Sequence, residues 1–316
     1  MIRAICLNPA IDRNYYIDHY RPGVPYRHTT CAVEAGGKGL NAAKACVQLG
    51  ARTACYGFLG QENSARHLNV MKEYRVENRM ITVPGETRTT VNVIDRAEQT
   101  ESEILEEGPL IGPEQTEALL RALRQETERS DIVLCSGLSS LGLPADIYVQ
   151  INRICADVGA HCVLDTNGAN LSDSLSGHYL MIKPNARELC ELAGHGYTDE
   201  SAALIGIAKQ LLSVSDYVLI SRGKAGGLLV GKNRVWEVRV PGVSAVSTIG
   251  CGDSTVAGFA VAFARGYSEE MMARFALACG TANALTSAPG QLALEVLPLI
   301  KAESVCELIN EREMTA

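Results

Sequence analysis

The sequence predicts an α/β protein built around a doubly wound parallel sheet, with a second, smaller sheet. One sequence pattern predicts each of the two sheets. From Pro113 onward, short apolar runs without polar alternation recur between helical stretches, which is typical of parallel strands covered on both faces. Residues 14–33 and 88–105 are instead richer in Thr, Tyr and Val and alternate with polar residues, as antiparallel strands with one wet face do. We therefore expect helices on both faces of a main sheet and a second, smaller sheet.

The elements follow one another without a clear linker or internal repeat, so we expect residues 1–316 to form one domain. The two excursions, 14–33 and 88–105, would meet as a lid. The apolar start of the chain predicts a first strand, and residues 299–311 predict a solvated amphipathic helix. Further predicted helices are 42–49, 119–129, 145–158 and 254–264, and further predicted strands of the main sheet are 131–135, 162–165, 180–182 and 217–220.

Composition excludes several classes of protein. A net charge of −7 argues against a nucleic-acid-binding protein, which requires a basic face. No run approaches the ~20 apolar residues of a membrane span. The eleven cysteines are odd in number and form no C-x-x-C pair, so we expect buried free thiols rather than zinc sites or disulfides. These features predict a cytoplasmic protein.

Ligands of open parallel sheets bind at the carboxyl ends of the strands. In this chain each predicted strand of the main sheet runs into a polar or glycine-rich loop, and these loops are the candidate functional segments. They are residues 8–12, 136–137, 166–168, 183–185 and 221–224.

The most informative segment is Ser247 to Asp253, which runs directly into an apolar helix. Glycines before a helix leave backbone amides unobstructed, so the helix start can hold an anion. Asp253 could accept a proton from a hydroxyl that attacks phosphorus while those amides stabilise the transferring phosphoryl group. The alternative is an aspartate that only caps the helix.

A second glycine-rich segment, residues 35–41, also opens a helix and contains Lys38 and Asn41. It is neither a Walker A loop nor a G-x-G-x-x-G fingerprint. The absence of that fingerprint argues against a dinucleotide-dependent dehydrogenase. The glycines of residues 35–41 would let a substrate lie against the backbone, with Lys38 and Asn41 as polar contacts. A plain glycine-rich turn is the alternative.

Three further positions have both a functional and an ordinary interpretation. Arg88 begins a predicted lid strand and could bind a phosphate, although single arginines are more often surface residues. Asn185 and Glu188 share one helix face and could organise the water shell of a magnesium–nucleotide, or simply cap the helix. Asp12 could hold sugar hydroxyls or belong to a turn.

Taken in this order, the motifs strongly resemble the ribokinase/PfkB family of carbohydrate kinases. Gly36 to Asn41 resembles the family's first signature, Ser247 to Asp253 resembles its second, and the resemblance extends from Asn8 to Asn283. The forms of residues 8–12, 36–39 and 85–89 resemble the branch that acts on sugar phosphates. That branch contains 1-phosphofructokinase, tagatose-6-phosphate kinase and the minor 6-phosphofructokinase.

The resemblance implies a ribokinase-like three-layer α/β/α sandwich with a β lid, which often dimerises through the lid. It implies transfer of the γ-phosphoryl group of ATP, with Mg²⁺, to a primary hydroxyl of a ketohexose monophosphate. Fructose 1-phosphate is the leading acceptor and tagatose 6-phosphate the next. An unphosphorylated sugar, or a catalytically silent sugar-phosphate sensor, is the alternative.

The family's functional residues map onto this chain position by position. The resemblance implies Asp253 as base; Gly250, Cys251 and Gly252 as anion hole; Asp12, Gly36, Gly37, Lys38, Asn41 and Arg88 as substrate-binding residues; Ser221, Gly223, Lys224 and Asn283 as nucleotide-binding residues; and Asn185 and Glu188 as magnesium-positioning residues through water.

Two departures from the branch lie on the acceptor side. Where the branch commonly has Gly-Ser-Leu-Pro, this chain has Gly137-Leu138-Ser139-Ser140, which removes a polar contact to the substrate. Leu105 stands where the branch often has Asn. These departures affect the choice of sugar rather than phosphoryl transfer.

Overall fold

The computed structural model describes residues 1–27 and 29–309. The strands are β1 (Ile2–Cys6), β2 (Ala10–Ile17), β3 (Thr30–Gly36), β4 (Thr53–Gly60), β5 (Glu77–Val83), β6 (Thr89–Asp95), β7 (Thr100–Leu105), β8 (Ile132–Ser136), β9 (His161–Asp165), β10 (Tyr179–Ile182), β11 (Ser215–Ser221), β12 (Gly227–Gly231), β13 (Val235–Arg239) and β14 (Val305–Ile309). The helices are α1 (Lys38–Gln48), α2 (Ala65–Tyr74), α3 (Pro113–Glu126), α4 (Ile147–Val158), α5 (Gly168–Ser174), α6 (Ala186–Leu192), α7 (Ser201–Leu211), α8 (Cys251–Ala264), α9 (Glu269–Ala284) and α10 (Leu297–Glu303).

The main sheet has the strand order β14-β13-β12-β11-β10-β9-β8-β1-β4-β5. The strands from β11 to β5 in this order are parallel, and β12, β13 and β14 pair antiparallel at the other end. Strand β1 lies near one end of the parallel part, where Ile2 is level with Thr53 on one side and Ile132 on the other. All five β1 residues are buried, as their unbroken apolar character predicts.

Helices cover both faces of the sheet, which confirms the predicted three-layer fold. On one face an apolar cluster joins Ile2 of β1 to α1, α8 and α9. On the other face Ile5 of β1 packs in a cluster with α3 and α4. Because alternate strand residues point to opposite faces, one strand contributes to both layers. Each fully buried Ile or Leu contributes about 2 kcal/mol relative to an exposed one.

Helices α8 and α9 pack closely because small residues line their contact. A Cβ atom placed on Gly258 would lie 2.9 Å from the Ala276 Cα and 2.9 Å from the Cys279 Sγ. The small side chains therefore set the distance between the two helices. This packing positions α8, whose first turn belongs to the predicted functional segment.

The smaller sheet has the order β3-β2-β6-β7. Strand β2 pairs antiparallel with β3 and parallel with β6, so two segments distant in sequence meet in one sheet. The first pair of strands covers residues 10–17 and 30–36, a few residues beyond the predicted 14–33 at each end. Thr90 and Asn92 of β6 are buried on the face toward the main sheet, as expected for a sheet with one covered side.

The predicted helix over residues 299–311 is wrong in its second half. Helix α10 ends at Glu303, and β14 then pairs with β13 from Val305 to Ile309. The free edge of β13 provides backbone hydrogen bonds that a short isolated helix cannot match, so tertiary pairing overrides local periodicity. Residues 310 and 311 lie outside the described residues. None of the helices in the described ranges is both long and apolar enough to cross a membrane.

Candidate active site

Three adjoining cavities lie at the carboxyl ends of the parallel strands. The central cavity, of about 350 Å³, contains Asp12, Asn41 and Asp253. The lid cavity, of about 490 Å³, lies beneath β7, and the groove, of about 410 Å³, lies beside α8 and α9. Lys38, Arg88, Glu103 and Leu105 line both the central and lid cavities, whereas Ser221 and Gly252 line both the central cavity and the groove. The central cavity therefore connects the other two.

A larger cavity, of about 550 Å³, lies at the opposite edge of the sheet and is lined by charged residues that pair with one another. Arg3 contacts Asp131 at 2.8 Å, and the amino terminus contacts the same carboxylate at 2.8 Å. The charges of Arg52, Arg79 and Glu126 in this cavity are paired as well. The strand carboxyl ends therefore remain the candidate site.

Asp253 lies at the centre of this arrangement, in the first turn of α8, and is 5% exposed. The Asn41 Nδ2 donates a 2.9 Å hydrogen bond to its Oδ2. Burial raises the pKa of Asp253 above its usual range, although the charge of Lys38 and the Asn41 hydrogen bond oppose the rise. The residue that caps α8 is Gly250, not Asp253. A buried carboxylate with a raised pKa suits a general base near neutral pH.

Of the two glycines before Asp253, Gly250 is required by the geometry of the helix start. Gly250 has φ of 82°, and a Cβ atom there would lie 2.8 Å from the Pro289 Cα. A Cβ on Gly252 would lie 3.5 Å from the Lys183 Nζ. Amides of a first helical turn have no partner within the helix, so this end of α8 can bind an anion. The Cys251 amide makes a long hydrogen bond of 3.4 Å to the Thr248 carbonyl.

The second glycine segment forms the wall opposite α8. A Cβ atom on Gly36 would lie 1.9 Å from the Asp12 Oδ2, and Gly37 has φ of 113°, so neither position accepts a side chain without movement. Lys38 begins α1 and projects into the central and lid cavities. The charge of Asp165 raises the pKa of Lys38, so the ammonium group stays charged.

Sequence reasoning missed the buried pair Asp165 and Lys183. Asp165 ends β9, and its two carboxylate oxygens lie 3.1 Å from the Lys183 Nζ and 3.8 Å from the Lys38 Nζ. Burial alone would raise the pKa of Asp165, but the charges of Lys183 and Lys38 outweigh burial and hold it below its usual range. Asp165 ends one parallel strand and Lys183 follows another, at the edge of the sheet where ligands bind, but only the sheet order brings the two side chains together.

Asp12 and Arg88 lie on the lid side of the central cavity. Burial raises the pKa of Asp12 to about 6, opposed by a hydrogen bond from Thr90 and by the charge of Arg88. The Arg88 Nε donates a 2.9 Å hydrogen bond to the Asn8 Oδ1, and its Nη1 lies 3.1 Å from the Thr90 Oγ1. These contacts hold the guanidinium at the junction of the central and lid cavities.

Asn185 and Glu188 form a capping box at the start of α6, and both also line the central cavity. The Asn185 amide donates to the Glu188 Oε2 at 2.8 Å, and the Glu188 amide donates to the Asn185 Oδ1 at 2.8 Å. Asn185 and Glu188 therefore do cap the helix, which is the ordinary interpretation of this pair. The other carboxylate oxygen of Glu188, Oε1, lies 3.3 Å from the Asn167 Nδ2. This oxygen can also face a cation in the central cavity.

Three of the four predicted nucleotide-binding residues line the groove, namely Ser221, Gly223 and Lys224. Asn283 is not among the lining residues and is fully buried. Its Oδ1 accepts hydrogen bonds from the Ser254 Oγ at 2.6 Å and the Gly290 amide at 2.9 Å, and its Nδ2 donates to the Ile249 carbonyl at 3.2 Å. Asn283 therefore positions the start of α8 from behind.

The groove is otherwise largely apolar, with Val240, Val243, Leu277 and Ala284 in its lining. The groove can hold a flat, weakly polar group. That group would lie beside the start of α8, and the start of α8 can bind an anion. The central cavity combines a buried carboxylate, a helix amino terminus and the cations Lys38 and Lys183. This arrangement can deprotonate a hydroxyl and stabilise negative charge between two bound molecules.

Comparisons with known proteins agree with this geometry. The model of the pfkB family of carbohydrate kinases matches residues 5–294. The tagatose-6-phosphate kinase of Staphylococcus epidermidis is 28% identical over 295 residues, which cover 92% of this chain and 94% of that protein. A candidate phosphofructokinase from Staphylococcus aureus is 29% identical, with a TM-score of 0.82 over 98% of this chain and 99% of that chain. Phosphofructokinase-2 from Escherichia coli, solved with substrates and products, is 25% identical, with a TM-score of 0.88 over 95% of this chain and 98% of that chain.

Proposed function

The chain belongs to the pfkB family of carbohydrate kinases, and we propose that it transfers the γ-phosphoryl group of ATP to a primary hydroxyl of a ketohexose monophosphate. The single observation that carries this proposal is the position of Asp253. Its carboxylate is buried at the amino terminus of α8, in the cavity that connects the groove with the lid cavity. A base at that point can act on a hydroxyl that faces a phosphoryl donor.

Positioning and electrostatics would perform the reaction. The acceptor hydroxyl donates its proton to Asp253 as it attacks the γ-phosphorus in line with the leaving oxygen. The amides of Gly250, Cys251 and Gly252 at the start of α8 stabilise the charge on the transferring group. Lys183, whose ammonium group lies close to Gly252, adds positive charge at the same point.

Two cations support a phosphorylated acceptor. Lys38 and Arg88 line both the central and lid cavities, so a phosphate in the lid cavity can contact both while a distant hydroxyl reaches Asp253. Asp12, Asn41 and the backbone at Gly36 and Gly37 would hold the sugar between them. A neutral sugar would make little use of the positive charge of these two residues, which makes an unphosphorylated acceptor the weaker alternative.

Fructose 1-phosphate is our leading acceptor, and tagatose 6-phosphate and fructose 6-phosphate are the alternatives within the same activity. The similarity to a tagatose-6-phosphate kinase and to two phosphofructokinase structures supports a ketohexose phosphate in general. A catalytically silent sensor is a further alternative. It has no use for the buried carboxylate and the helix start that surround the reaction centre.

The donor side suits ATP with Mg²⁺. The apolar groove would hold the base, with Ser221, Gly223 and Lys224 along the nucleotide. Asn185 and Glu188 line the central cavity and would position Mg²⁺ through bound water, since Mg²⁺ usually keeps several of its water ligands. Among residues 1–27 and 29–309 no group of three or more acidic, His or Cys side chains could hold a metal, so water and phosphate would complete the shell. The ion would neutralise charge on the phosphates.

We also propose a homodimer that forms through the lid sheet. Strand alternation places Thr90 and Asn92 toward the site, and therefore Val91, Val93 and Ile104 on the opposite face. Val91 and Val93 are only half-buried and Ile104 is exposed, so a second lid would cover apolar surface. Light scattering after gel filtration should give twice the chain mass of 33.9 kDa. A cytoplasmic location fits the eleven free cysteines, eight of them buried.

The test is an ADP-release panel with fructose 1-phosphate, fructose 6-phosphate, tagatose 6-phosphate and the free sugars. We expect turnover of at least one phosphosugar, and Asp253→Asn should lower its kcat by about 10²–10⁴ with little change in binding. In Lys38→Ala the KM for the phosphosugar should rise. Binding of ATP and sugar phosphate without ADP release would instead identify a sensor, and an unchanged KM in Lys38→Ala would argue for a neutral acceptor.

A further inference from the structure

Ser136 brings a buried hydroxyl to the wall of the lid cavity. It ends β8, is 2% exposed and lines this cavity. Its Oγ forms no hydrogen bond within residues 1–27 and 29–309, the part of the chain that the structure describes. A buried hydroxyl without a partner costs free energy, because it has given up its bonds to water and gained none in return. Such a group at a cavity wall indicates a ligand that supplies the missing bond.

The neighbours of Ser136 in the sheet do not supply this bond. The register of the sheet places Cys6 of β1 on one side of Ser136 and Asp165 of β9 on the other. The Cys6 thiol is a weak hydrogen-bond acceptor. The carboxylate oxygens of Asp165 lie 3.1 Å from the Lys183 Nζ and 3.8 Å from the Lys38 Nζ, so they face these two cations. The Ser136 hydroxyl therefore keeps its proton for a molecule in the cavity.

Positive charge lies close to this hydroxyl. A Cβ atom on Gly137, the next residue, would lie 3.5 Å from the Lys38 Cβ and 3.8 Å from its Cδ, so the lysine side chain runs past the end of β8. Arg88 lines the same cavity from the lid side. Ser136 lines the lid cavity and is not among the lining residues of the central cavity, which contains Asp253. It therefore faces the end of the acceptor that is remote from the reacting hydroxyl.

The serines of the loop that follows β8 are less suitable donors. The Ser140 Oγ already donates a 2.7 Å hydrogen bond to the Leu7 carbonyl. The Ser139 Oγ accepts a 2.8 Å bond from the Asn170 Nδ2, and Ser139 is only half-buried. Of these three serines, Ser136 alone combines burial with a hydroxyl that has no partner in the described ranges. It is therefore the one with the most to gain from a ligand.

We propose that Ser136 donates a hydrogen bond to the phosphate of the acceptor sugar. It would supply the polar contact that Leu138 does not make. The proposal rests on the proposed kinase function and adds a residue to its acceptor site. A phosphate oxygen is a stronger acceptor than a sugar hydroxyl, and Lys38 and Arg88 bring their charge to the same cavity. Ser136 and Lys38 belong to the main body and Arg88 precedes a lid strand, so the phosphate would join the two parts.

Ser136→Ala tests this contact in the ADP-release assay, with the phosphosugar that the parent protein turns over best. The KM for this phosphosugar should rise by about 10-fold or more, since a hydrogen bond to a charged group is lost. The kcat and the KM for ATP should change by less than about 2-fold, because a contact remote from the reacting atoms contributes equally to the bound substrate and to the transition state. An unchanged KM for the phosphosugar would overturn the proposal.

The melting temperature of the unliganded protein separates this role from a structural one. The Ser136 Oγ has no partner to lose among the described residues, so Ser136→Ala should leave Tm unchanged or raise it. Ser140→Ala leaves the Leu7 carbonyl without its bond, so it should lower Tm by about 2–5 °C with an unchanged KM. An equal fall of Tm in both variants would show that the Ser136 hydroxyl has a structural role, through a bound water for example, and would overturn the proposal.

Ser136→Asn and Ser136→Asp identify the ligand group, because the two new side chains have the same shape and differ in charge. Next to a phosphate the carboxylate repels the ligand, so the KM in Ser136→Asp should exceed that in Ser136→Asn by about 10-fold or more. Next to a sugar hydroxyl the carboxylate accepts a hydrogen bond, and the KM in Ser136→Asp would be equal or lower. That second result would overturn the assignment to phosphate.

The outcomes also separate this inference from the proposed function. Turnover of phosphosugars with a KM that Ser136→Ala does not alter would overturn the role of Ser136 and leave the kinase function intact. No ADP release with any sugar or phosphosugar would overturn the kinase function itself. Turnover of free sugars alone would overturn the phosphorylated acceptor, and with it the contact that we assign to Ser136.

Discussion

The Asn41 Nδ2 donates a 2.9 Å hydrogen bond to the Asp253 Oδ2 across 212 positions of sequence. Asn41 lies in the first turns of α1, and Asp253 lies in the first turn of α8, so the bond joins the two glycine-rich helix starts. It also affects chemistry, because a hydrogen bond to the charged form of a carboxyl favours that form. Asn41 therefore tunes the group that we propose as the base.

We expect Asn41→Leu to raise the pKa that governs the acid limb of kcat. A hydrogen bond to a charged group contributes about 1.5–3 kcal/mol, and one pKa unit corresponds to about 1.4 kcal/mol, so the rise should be about one to two units. The pH dependence of kcat measures it. Gln48→Leu, elsewhere on α1, serves as a control because its side chain bonds the Gly290 carbonyl rather than Asp253. An unshifted acid limb in Asn41→Leu would mean that Asp253 is not the titrating group.

Asp12 gives a second pH dependence, at a different kinetic parameter. Burial raises its pKa to about 6, so the carboxylate becomes protonated as the pH falls below about 6 and then accepts a hydrogen bond from a sugar hydroxyl less strongly. We expect the KM for the phosphosugar to rise from pH 7 to pH 5 in the parent protein. In Asp12→Asn the KM should be higher at pH 7 and nearly independent of pH. A pH-independent KM in the parent protein would contradict this role.

The raised pKa of Asp12 also affects stability. Its folded pKa, about 6, lies above the usual carboxyl value, about 3.9, so the folded state binds more protons between them. This contribution is fully present below about pH 4 and is lost as the pH rises through about 6. In urea unfolding, the parent protein should lose part of its free energy of unfolding as the pH rises through about 6, and Asp12→Asn should not. An equal pH dependence in the variant and the parent protein would contradict this prediction.

Asp165→Asn should destabilise the fold strongly, because it leaves the buried ammonium group of Lys183 without its counter-charge. Removal of one partner from a buried ion pair typically costs about 3–5 kcal/mol. Urea unfolding of the apo protein measures the loss. The matched control is Asp216→Asn, whose exposed pairs with His178 and Lys232 should contribute less than about 1 kcal/mol. Equal losses in the two variants would contradict the role of burial.

Glu188→Gln should separate the capping role of Glu188 from its proposed role in magnesium positioning. Glutamine can still accept the Asn185 amide in a capping box, so the free energy of unfolding should change by less than about 0.5 kcal/mol. The loss of charge should raise the Mg²⁺ concentration for half-maximal activity by about 10- to 100-fold. An unchanged Mg²⁺ requirement would leave Glu188 with the capping role alone.

Two glycines in helices should respond oppositely to alanine. Gly258→Ala places a Cβ atom 2.9 Å from α9 and should cost about 1–3 kcal/mol. Gly206→Ala in α7 meets no atom within 4 Å and should stabilise the fold by about 0.5–1 kcal/mol, because alanine loses less backbone freedom on folding. Thermal unfolding of both variants tests the packing of α8 on α9, and a neutral Gly258→Ala would show that the two helices can separate freely.

The sequence by itself determined the α/β class, the parallel strands and the loops where the site lies. It did so because covered strands require unbroken apolar runs, and because the carboxyl ends of parallel strands share one edge. The glycines at 37 and 250 were also informative from sequence, since positive φ and close approach exclude most other residues. The second half of the helix predicted at 299–311 was wrong, because strand pairing at the sheet edge is not a local property.

Only the tertiary structure decided which side chains meet. Asp165 lies between Lys38 and Lys183 because β9 is adjacent to β10 and because α1 packs on the sheet. Asn283 turns toward the start of α8 rather than into the groove because Ser254 and Gly290 provide its hydrogen-bond partners. Leu105 and Leu138, distant in sequence, share one cavity because the lid folds over the body. Such contacts depend on sheet order and helix docking, which no local pattern encodes.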